Sequence, residues 1–385
     1  MKKLRIYQPQ YYKKFNCIGS ACKNNCCHSW GISIDKTIYD KYMSLDDDAA
    51  VEFREKIAIT PQEPFEARIL LDEDGKCKFL NARGLCSIQA RFGPEYLSYT
   101  CMTYPRKFCN VNGETEAFLE MSCEVVSKLI LFEQNIMRFE NAELESNRSI
   151  FHNSTMDASK YTAAGNAYDI FWKLRTISIL VAQSRNYRLQ HRLMILGIFI
   201  KQADELISSE RDEEISELAD RFLERLDTGY YDALIKQAPG AIDLEMNFVL
   251  GILKDMEEKG QPLFCKCFEN ARKGLGIRLD DGELPDSYGN NYRVFYETYF
   301  ADKEYILENF VVSHIFSDGF PFNYRYMDSL VKNYRELLVK YSLVKFLITG
   351  VSRHYMKFDK RKVVECVSSF SRSYDHHVGG ALVLK

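Results

Sequence analysis

The sequence predicts a mainly α protein in two parts: a small cysteine-rich N-terminal domain of loops and short strands, then a larger α-helical domain. Three observations lead there. Nine of the twelve cysteines lie in the first 123 residues. From Ala167 onward, apolar residues recur at intervals of three and four, the period of a helix with one buried face. No strands alternate regularly with helices, and no internal repeat is present. The division falls near residue 125, giving 1–125 and 126–385, with 126–165 a helix and a connecting segment.

Taken in order, Ile32, Ile34 and Ile38 with Tyr39 and Tyr42 predict a strand entering a helix. Asp35 suits its N-cap, because a short oxygen-bearing side chain accepts from free backbone N–H groups. Asp46-Asp47-Asp48 reads as an exposed loop. Asp72-Glu73-Asp74-Gly75 and Asn81-Ala82-Arg83-Gly84 read as turns. Val125, Val126, Leu129, Ile130 and Ile136-Met137 predict a helix over 122–140, followed by a polar connection over 141–165. Ile170, Leu174, Ile177, Leu180 and Val181 mark the next helical face. Leu193, Leu196, Ile200 and Ala203 mark another, and Ile215, Leu218, Phe222 and Leu226 a third. Further helices are expected over 241–256, 292–310 and 330–348.

The charge balance narrows the function classes. Lys plus Arg total 51 and Asp plus Glu 54, a net charge of −3. Such a chain has no general attraction for polyanions, so nucleic acid is not an expected partner. The start, Met1 to Pro9, is basic, but no apolar stretch follows it as in a secretory signal. The most apolar run, Leu193 to Ile200, is far too short to span a bilayer. The expectation is a cytoplasmic protein without a membrane partner. In that compartment thiols stay reduced, and clustered cysteines bind metal or do redox chemistry.

The cysteines themselves read Cys17-x4-Cys22-x3-Cys26-Cys27, then Cys77-x8-Cys86, Cys101, Cys109 and Cys123. Thiolate is a soft ligand that selects zinc, cuprous copper or iron–sulfur clusters. Zinc favours four ligands in Cys-x2–4-Cys pairs, and the early spacings fit no common zinc ribbon. Side chains of adjacent cysteines tend to diverge, so Cys26 and Cys27 suit a larger cluster better than one small ion. The pattern favours an iron–sulfur cluster, with zinc as the alternative. Cys109, Cys265, Cys267 and Cys366 read as core residues.

The segment Phe15-Asn16-Cys17-Ile18-Gly19-Ser20-Ala21-Cys22-Lys23-Asn24-Asn25-Cys26-Cys27-His28-Ser29-Trp30 resembles the opening of the flagellin lysine-N-methylases, within a wider group named for a cysteine-rich metal-chelating domain. The resemblance continues through Cys77-Lys78-Phe79-Leu80, Leu85-Cys86-Ser87-Ile88, Cys101-Met102-Thr103-Tyr104-Pro105-Arg106 and Met121-Ser122-Cys123-Glu124. Glu308-Asn309-Phe310 and Phe320-Pro321-Phe322 extend it into the helical half. It implies an enzyme that moves the methyl group of S-adenosylmethionine onto surface lysines of flagellin. It also implies a [4Fe-4S] cluster held by the first domain. Cys17, Cys22, Cys26, Cys27, Cys77, Cys86, Cys101 and Cys123 match the pattern, and a cluster normally takes four thiolates. Cys22, Cys26, Cys86 and Cys101 are the first choices, with Cys27 the nearest substitute for Cys26.

Lys273-Gly274-Leu275-Gly276 has two of the three glycines of a dinucleotide loop, with Leu279 in place of the third, and reads as a turn. A doubly wound methyltransferase fold is therefore not expected, and the cofactor would bind beside the cluster. Arg106 is the candidate anchor for its carboxylate, through the planar fork of donors. His28 reads as structural, with a ligand or proton-shuttle role as the alternative, and His376-His377 as a solvated pair. No residue is assigned as catalytic base. Methyl transfer could be radical or a polar displacement; a displacement needs the lysine deprotonated, against a pKa near ~10.4. The rival readings are a non-enzymatic zinc- or iron-binding protein and a redox or cluster carrier.

Overall fold

The computed structural model describes residues 2–22, 24–28, 30–146, 150–162, 167–237, 242–259, 261–277, 288–323 and 329–375. The fold is mainly α, with strands concentrated before residue 157. Two compact units divide the chain: a smaller one of residues 15–107 and 119–126, and a larger one of 1–14, 108–118 and 127–385. Strand β1 (Lys2–Pro9) thus belongs to the larger unit although it opens the chain.

The smaller unit is built on β2 (Ile32–Asp35), α1 (Lys36–Met43), α2 (Asp47–Lys56), β3 (Ile57–Gln62) and β4 (Phe65–Ile69). The strands form a sheet in the order β2-β4-β3, with Ile32 and Ile57 both opposite Ile69. Ile32, Ile34, Ile38, Tyr42, Phe53 and Phe79 make its core. Asp35 caps α1 as expected, accepting from Ile38 N at 3.2 Å. Asp46 is not part of a loose acidic loop: it caps α2 by accepting from Ala49 N at 2.9 Å. Both expected turns form, with Gly75 and Gly84 at positive φ. The short helices α3 (Ser87–Phe92) and α4 (Tyr99–Thr103) follow.

The larger unit carries a mixed sheet in the order β7-β1-β6-β5-β8, from β5 (Arg106–Val111), β6 (Glu114–Leu119), β7 (Phe139–Ser146) and β8 (Ser154–Met156). Asn112 and Gly113, both at positive φ, turn β5 into β6; Asn-Gly is the preferred pair for such a hairpin. Two expectations fail between β6 and β8. The helix over 122–140 is only α5 (Glu124–Leu131). The polar stretch after it is not a plain connection, because β7 pairs with β1 from Pro9↔Phe139 to Lys2↔Ser146. Pairing along a whole strand outweighs the helix preference of Glu, Ala and Leu there.

Helices α6 (Ala167–Ala182), α7 (Leu189–Ser208) and α8 (Ile215–Leu226) follow the predicted faces, except that Leu180 is exposed. The short α9 (Asp232–Gln237) leads to α10 (Ile242–Lys259) and α11 (Pro262–Leu275). The single helix expected over 292–310 is two, α12 (Tyr288–Phe300) and α13 (Tyr305–Ser317). The break frees Glu304 to accept from Leu189 N at 3.1 Å and so cap α7. Helix α14 (Leu330–His354) outruns its predicted end and is buried along most of its length, and α15 (Lys360–Ser373) packs on it. Gly274 and Gly350 let α11 and α14 touch through their backbones, since a Cβ on either would overlap the other helix. Gly276, at φ 71°, ends α11 in the left-handed conformation. The two glycines therefore serve helix packing and capping, while Leu279 and His376-His377 lie outside the described residues.

Candidate functional site

The cysteines of the smaller unit are gathered by isolated backbone bridges rather than by long elements. Residue 28 bridges residue 76, Leu71 bridges Cys77, and Leu80 bridges Cys86. Cys77 N donates to Cys27 O at 2.8 Å, which sets the first cysteine loop beside the second. The first loop is shaped by its own polar side chains. Asn25 Oδ1 accepts from Cys27 N at 3.0 Å, Trp30 Nε1 donates to Cys26 O, and Asn24 donates to Glu124. Cys86 starts α3 as its N-cap residue. Cys101 sits within α4, and its N–H donates to Ser98 Oγ at 3.2 Å.

Five of the eight candidate thiols come together. Cys26 and Cys27 hydrogen-bond to each other through their side chains, and both lie within electrostatic reach of Cys77 and Cys101. Cys86 interacts with Cys77 and Cys101 in the same way. The two adjacent thiols of Cys26 and Cys27 interact with each other as well as with the more distant sulfurs. Cys27, Cys86 and Cys101 pack against the apolar core of the unit. The other three candidates stand as follows. Cys17 is exposed, and its sulfur accepts from Gly19 N at 3.4 Å. Cys22 and Cys123 are half-buried. Cys109 is a core residue of the larger unit, as expected, beside Phe118 and Phe316.

The thiols resist ionisation in one another's company. The hydrogen bond from Cys26, then burial, then the neighbouring sulfurs push Cys27 far above an ordinary thiol. Burial pushes Cys77 up to about 11 and Cys101 up to about 12, and in Cys101 a hydrogen bond from Ser98 works against the rise. A bound cation inverts this logic, since a coordinating thiol is deprotonated outright. Among the described residues, no three His, Cys, Asp or Glu side chains are close enough to grip one ion.

Arg106 opens β5, and its guanidinium lies 4.9 Å from the centroid of the Phe15 ring. Stacking on an aromatic face holds the planar group in place while leaving its edge donors free to meet an anion. The segment carrying Cys123 is tied to the same stretch of chain: Glu120 N donates to Pro105 O at 2.9 Å, and Tyr104 Oη lies 3.0 Å from Ser122 Oγ. Ser98 is the participant that the spacing of cysteines could not reveal. Its signal was available as a serine just before a short apolar helix that carries a candidate ligand.

The sequence model of the FliB lysine N-methylase C-terminal domain matches residues 175–379. The chain belongs to this family. It is similar to a lysine-N-methylase of Salmonella choleraesuis, 31% identical over 140 residues, and to one of Salmonella typhimurium, 30% identical over the same length. Each alignment covers 36% of this chain and 35% of the relative, so the chain spans about a third of the length of those lysine-N-methylases. A flagellar biosynthetic protein FliU of Salmonella muenchen is 28% identical over 165 residues, covering 42% of this chain and 98% of that protein. No solved structure matches the chain. No helix among the described residues is long and apolar enough to cross a membrane.

Proposed function

We propose that this protein is an S-adenosylmethionine-dependent lysine N-methyltransferase whose substrate is flagellin, and that its smaller unit holds a [4Fe-4S] cluster. Membership of the lysine N-methylase family, over a match that takes in most of the helical unit, carries the enzyme reading. The flagellar name of the similar FliU protein supports the choice of substrate. The converging thiols support the cluster.

Cys26 or Cys27, with Cys77, Cys86 and Cys101, are the residues of the convergent set that would hold the cluster. Cys22 stays a candidate from the half-buried loop that leads into it. When bound, such a cluster supplies either an electron or a Lewis-acidic iron. Arg106 would take the carboxylate of S-adenosylmethionine on its free edge, with Phe15 fixing the plane. The apolar core against which Cys27, Cys86 and Cys101 pack lowers the local polarity, which strengthens each charge–charge contact made there.

The test is mass spectrometry of flagellin after incubation with anaerobically purified protein and S-adenosylmethionine. The expected result is added mass in whole methylene steps on lysines, lost with Cys101→Ser. Unmodified flagellin in the presence of fully loaded protein overturns the enzyme reading. Equal modification by the wild type and Cys101→Ser overturns the part given to the cluster.

A further inference from the structure

We infer that Asp35 and Ser98 are positioning residues for Cys101: together they fix α4 so that its sulfur stays among the other four thiols. The inference rests on the proposed reading of those thiols as a cluster-binding set. Helix α4 has five residues. A helix so short cannot hold itself, because nucleation is unfavourable and few bonds follow it. Something outside it has to fix its start.

Asp35 does so from a distant part of the unit. Its Oδ1 accepts from Ile38 N at 3.2 Å, the N-cap bond of α1. Its Oδ2 accepts from Tyr99 N at 2.8 Å, at the first residue of α4. One buried carboxylate thus satisfies a free donor at each of two helix starts. Losing either acceptor oxygen is costly, since the amide it serves would be stranded. Ser98 is also buried. Its Oγ accepts from Cys101 N at 3.2 Å, while its hydroxyl donates to the Cys101 sulfur. The same side chain therefore sets both the backbone and the thiol of this residue. Hydrogen bonds to the sulfurs are among the features that set the reduction potential of an iron–sulfur cluster, and outer partners of this kind tune metal affinity.

The variants are Asp35→Asn, Ser98→Ala and Ser98→Thr in the full-length chain. Asparagine keeps the size of the side chain but turns an N–H group toward one of the two backbone donors. The first readout needs no cluster: alkylation of each cysteine in metal-free protein by iodoacetamide, followed by mass spectrometry. Asp35→Asn and Ser98→Ala should speed alkylation of Cys101 roughly five- to tenfold, the scale of losing a helix cap, with Cys77 unchanged. Ser98→Thr should restore the wild-type rate. The second readout is iron retention against a chelator, expected to weaken roughly tenfold or more in the first two variants. The midpoint potential of loaded Ser98→Ala should fall below that of the wild type. Cys101 reacting at the wild-type rate in both variants overturns the inference. So does a uniform rise across all cysteines, which would mark general loosening of the unit. Wild-type protein that takes up no iron, while Cys101 alone is exposed by the variants, sinks the cluster reading and leaves the positioning role standing.

Discussion

Buried charges of the helical unit come with their counter-charges, whereas the cysteine-rich unit gathers thiols that are acids like the buried Asp35 beside them. In the helical unit, Glu116 and Arg175 are both buried and make a bidentate pair, with Arg175 stacked on Trp172 at 4.2 Å. Glu308, fully buried, accepts from Arg185 at 2.8 Å and from Arg192 at 2.6 Å. Lys340 faces Asp318 at 2.8 Å, Asp375 at 3.3 Å and Glu336 at 3.9 Å. These sets are closed: each charge has been desolvated together with a partner that offsets the cost. The five thiols offer one another only repulsion once ionised. The helical sets balance themselves, whereas thiolates in the smaller unit would be balanced by the proposed cluster.

The comparison breaks first, and by the largest amount, at Lys340. Lys340→Met leaves three carboxylates facing one another and should cost about 3 kcal/mol, the lower end for a broken buried pair because Asp318 and Asp375 are partly exposed. The melting temperature of the helical unit should fall by roughly 10 °C. Iron content per chain should not change. The pH dependence has a definite sign. Burial alone would raise the Asp318 carboxyl, but Lys340 and His314 outweigh it and hold that group well below the usual carboxylate range. Its contribution is therefore complete above an ordinary carboxyl pKa, near ~3.9, and is lost as pH falls below that value. The gap between wild type and Lys340→Met, measured by calorimetry, should be widest near neutrality and narrow in acid. A constant gap across that range would mean that the lysine acts through packing alone.

Removing metal tests the other side. At free metal a hundred times its Kd, loss of the ion should lower stability by about 2.7 kcal/mol. Faster hydrogen exchange should be confined to residues 15–107 and 119–126. The metal-free protein should also lose stability as pH rises. Cys77 and Cys101 have folded values near 11 and 12, above an ordinary 9.0. Their neutral forms therefore favour the folded state below about pH 9, and that advantage disappears as pH climbs through 11 and 12. Urea titrations of metal-free protein at rising pH measure this directly; stability that stays flat above pH 9 would show that the thiols are not buried together.

How far the sequence carried this picture differs between the same two regions. Density of soft ligands marked the cysteine-rich part as the candidate metal site, but not which sulfurs meet. That is decided by isolated bridges at Leu71, Cys77, Leu80 and Cys86, which leave no periodic trace. In the helical part the faces of α6, α7 and α8 were legible because burial at period 3.6 repeats over many residues. Strand β7 was not, since Glu140, Ala142, Glu143 and Leu144 are good helix formers and their partner strand lies more than a hundred positions away. The Asn112-Gly113 turn was a missed signal of the hairpin that starts this sheet. Glu308 and Phe322 carried part of the family resemblance, and the structure gives both a packing role: one is the hub of two arginines, and the other stacks on Tyr161 at 4.1 Å.

The smallest expected effect separates a nucleotide loop from a helix end. Gly276 sits at φ 71°, with its N–H bonded to the carbonyls of the last turn of α11. A Cβ there meets no neighbouring atom within 4 Å, so the only cost of alanine is the left-handed backbone. Gly276→Ala should therefore destabilise by about 1 kcal/mol, seen as a fall of a few degrees in melting temperature. A phosphate-cradling glycine would behave differently: a methyl group would block close approach of the ligand, and affinity for S-adenosylmethionine or a nucleotide would drop while stability barely moved. Calorimetric titration of the variant with S-adenosylmethionine should match the wild type. A weakened titration at unchanged melting temperature would return the Gly274–Gly276 segment to the list of ligand sites and place the cofactor in the helical unit.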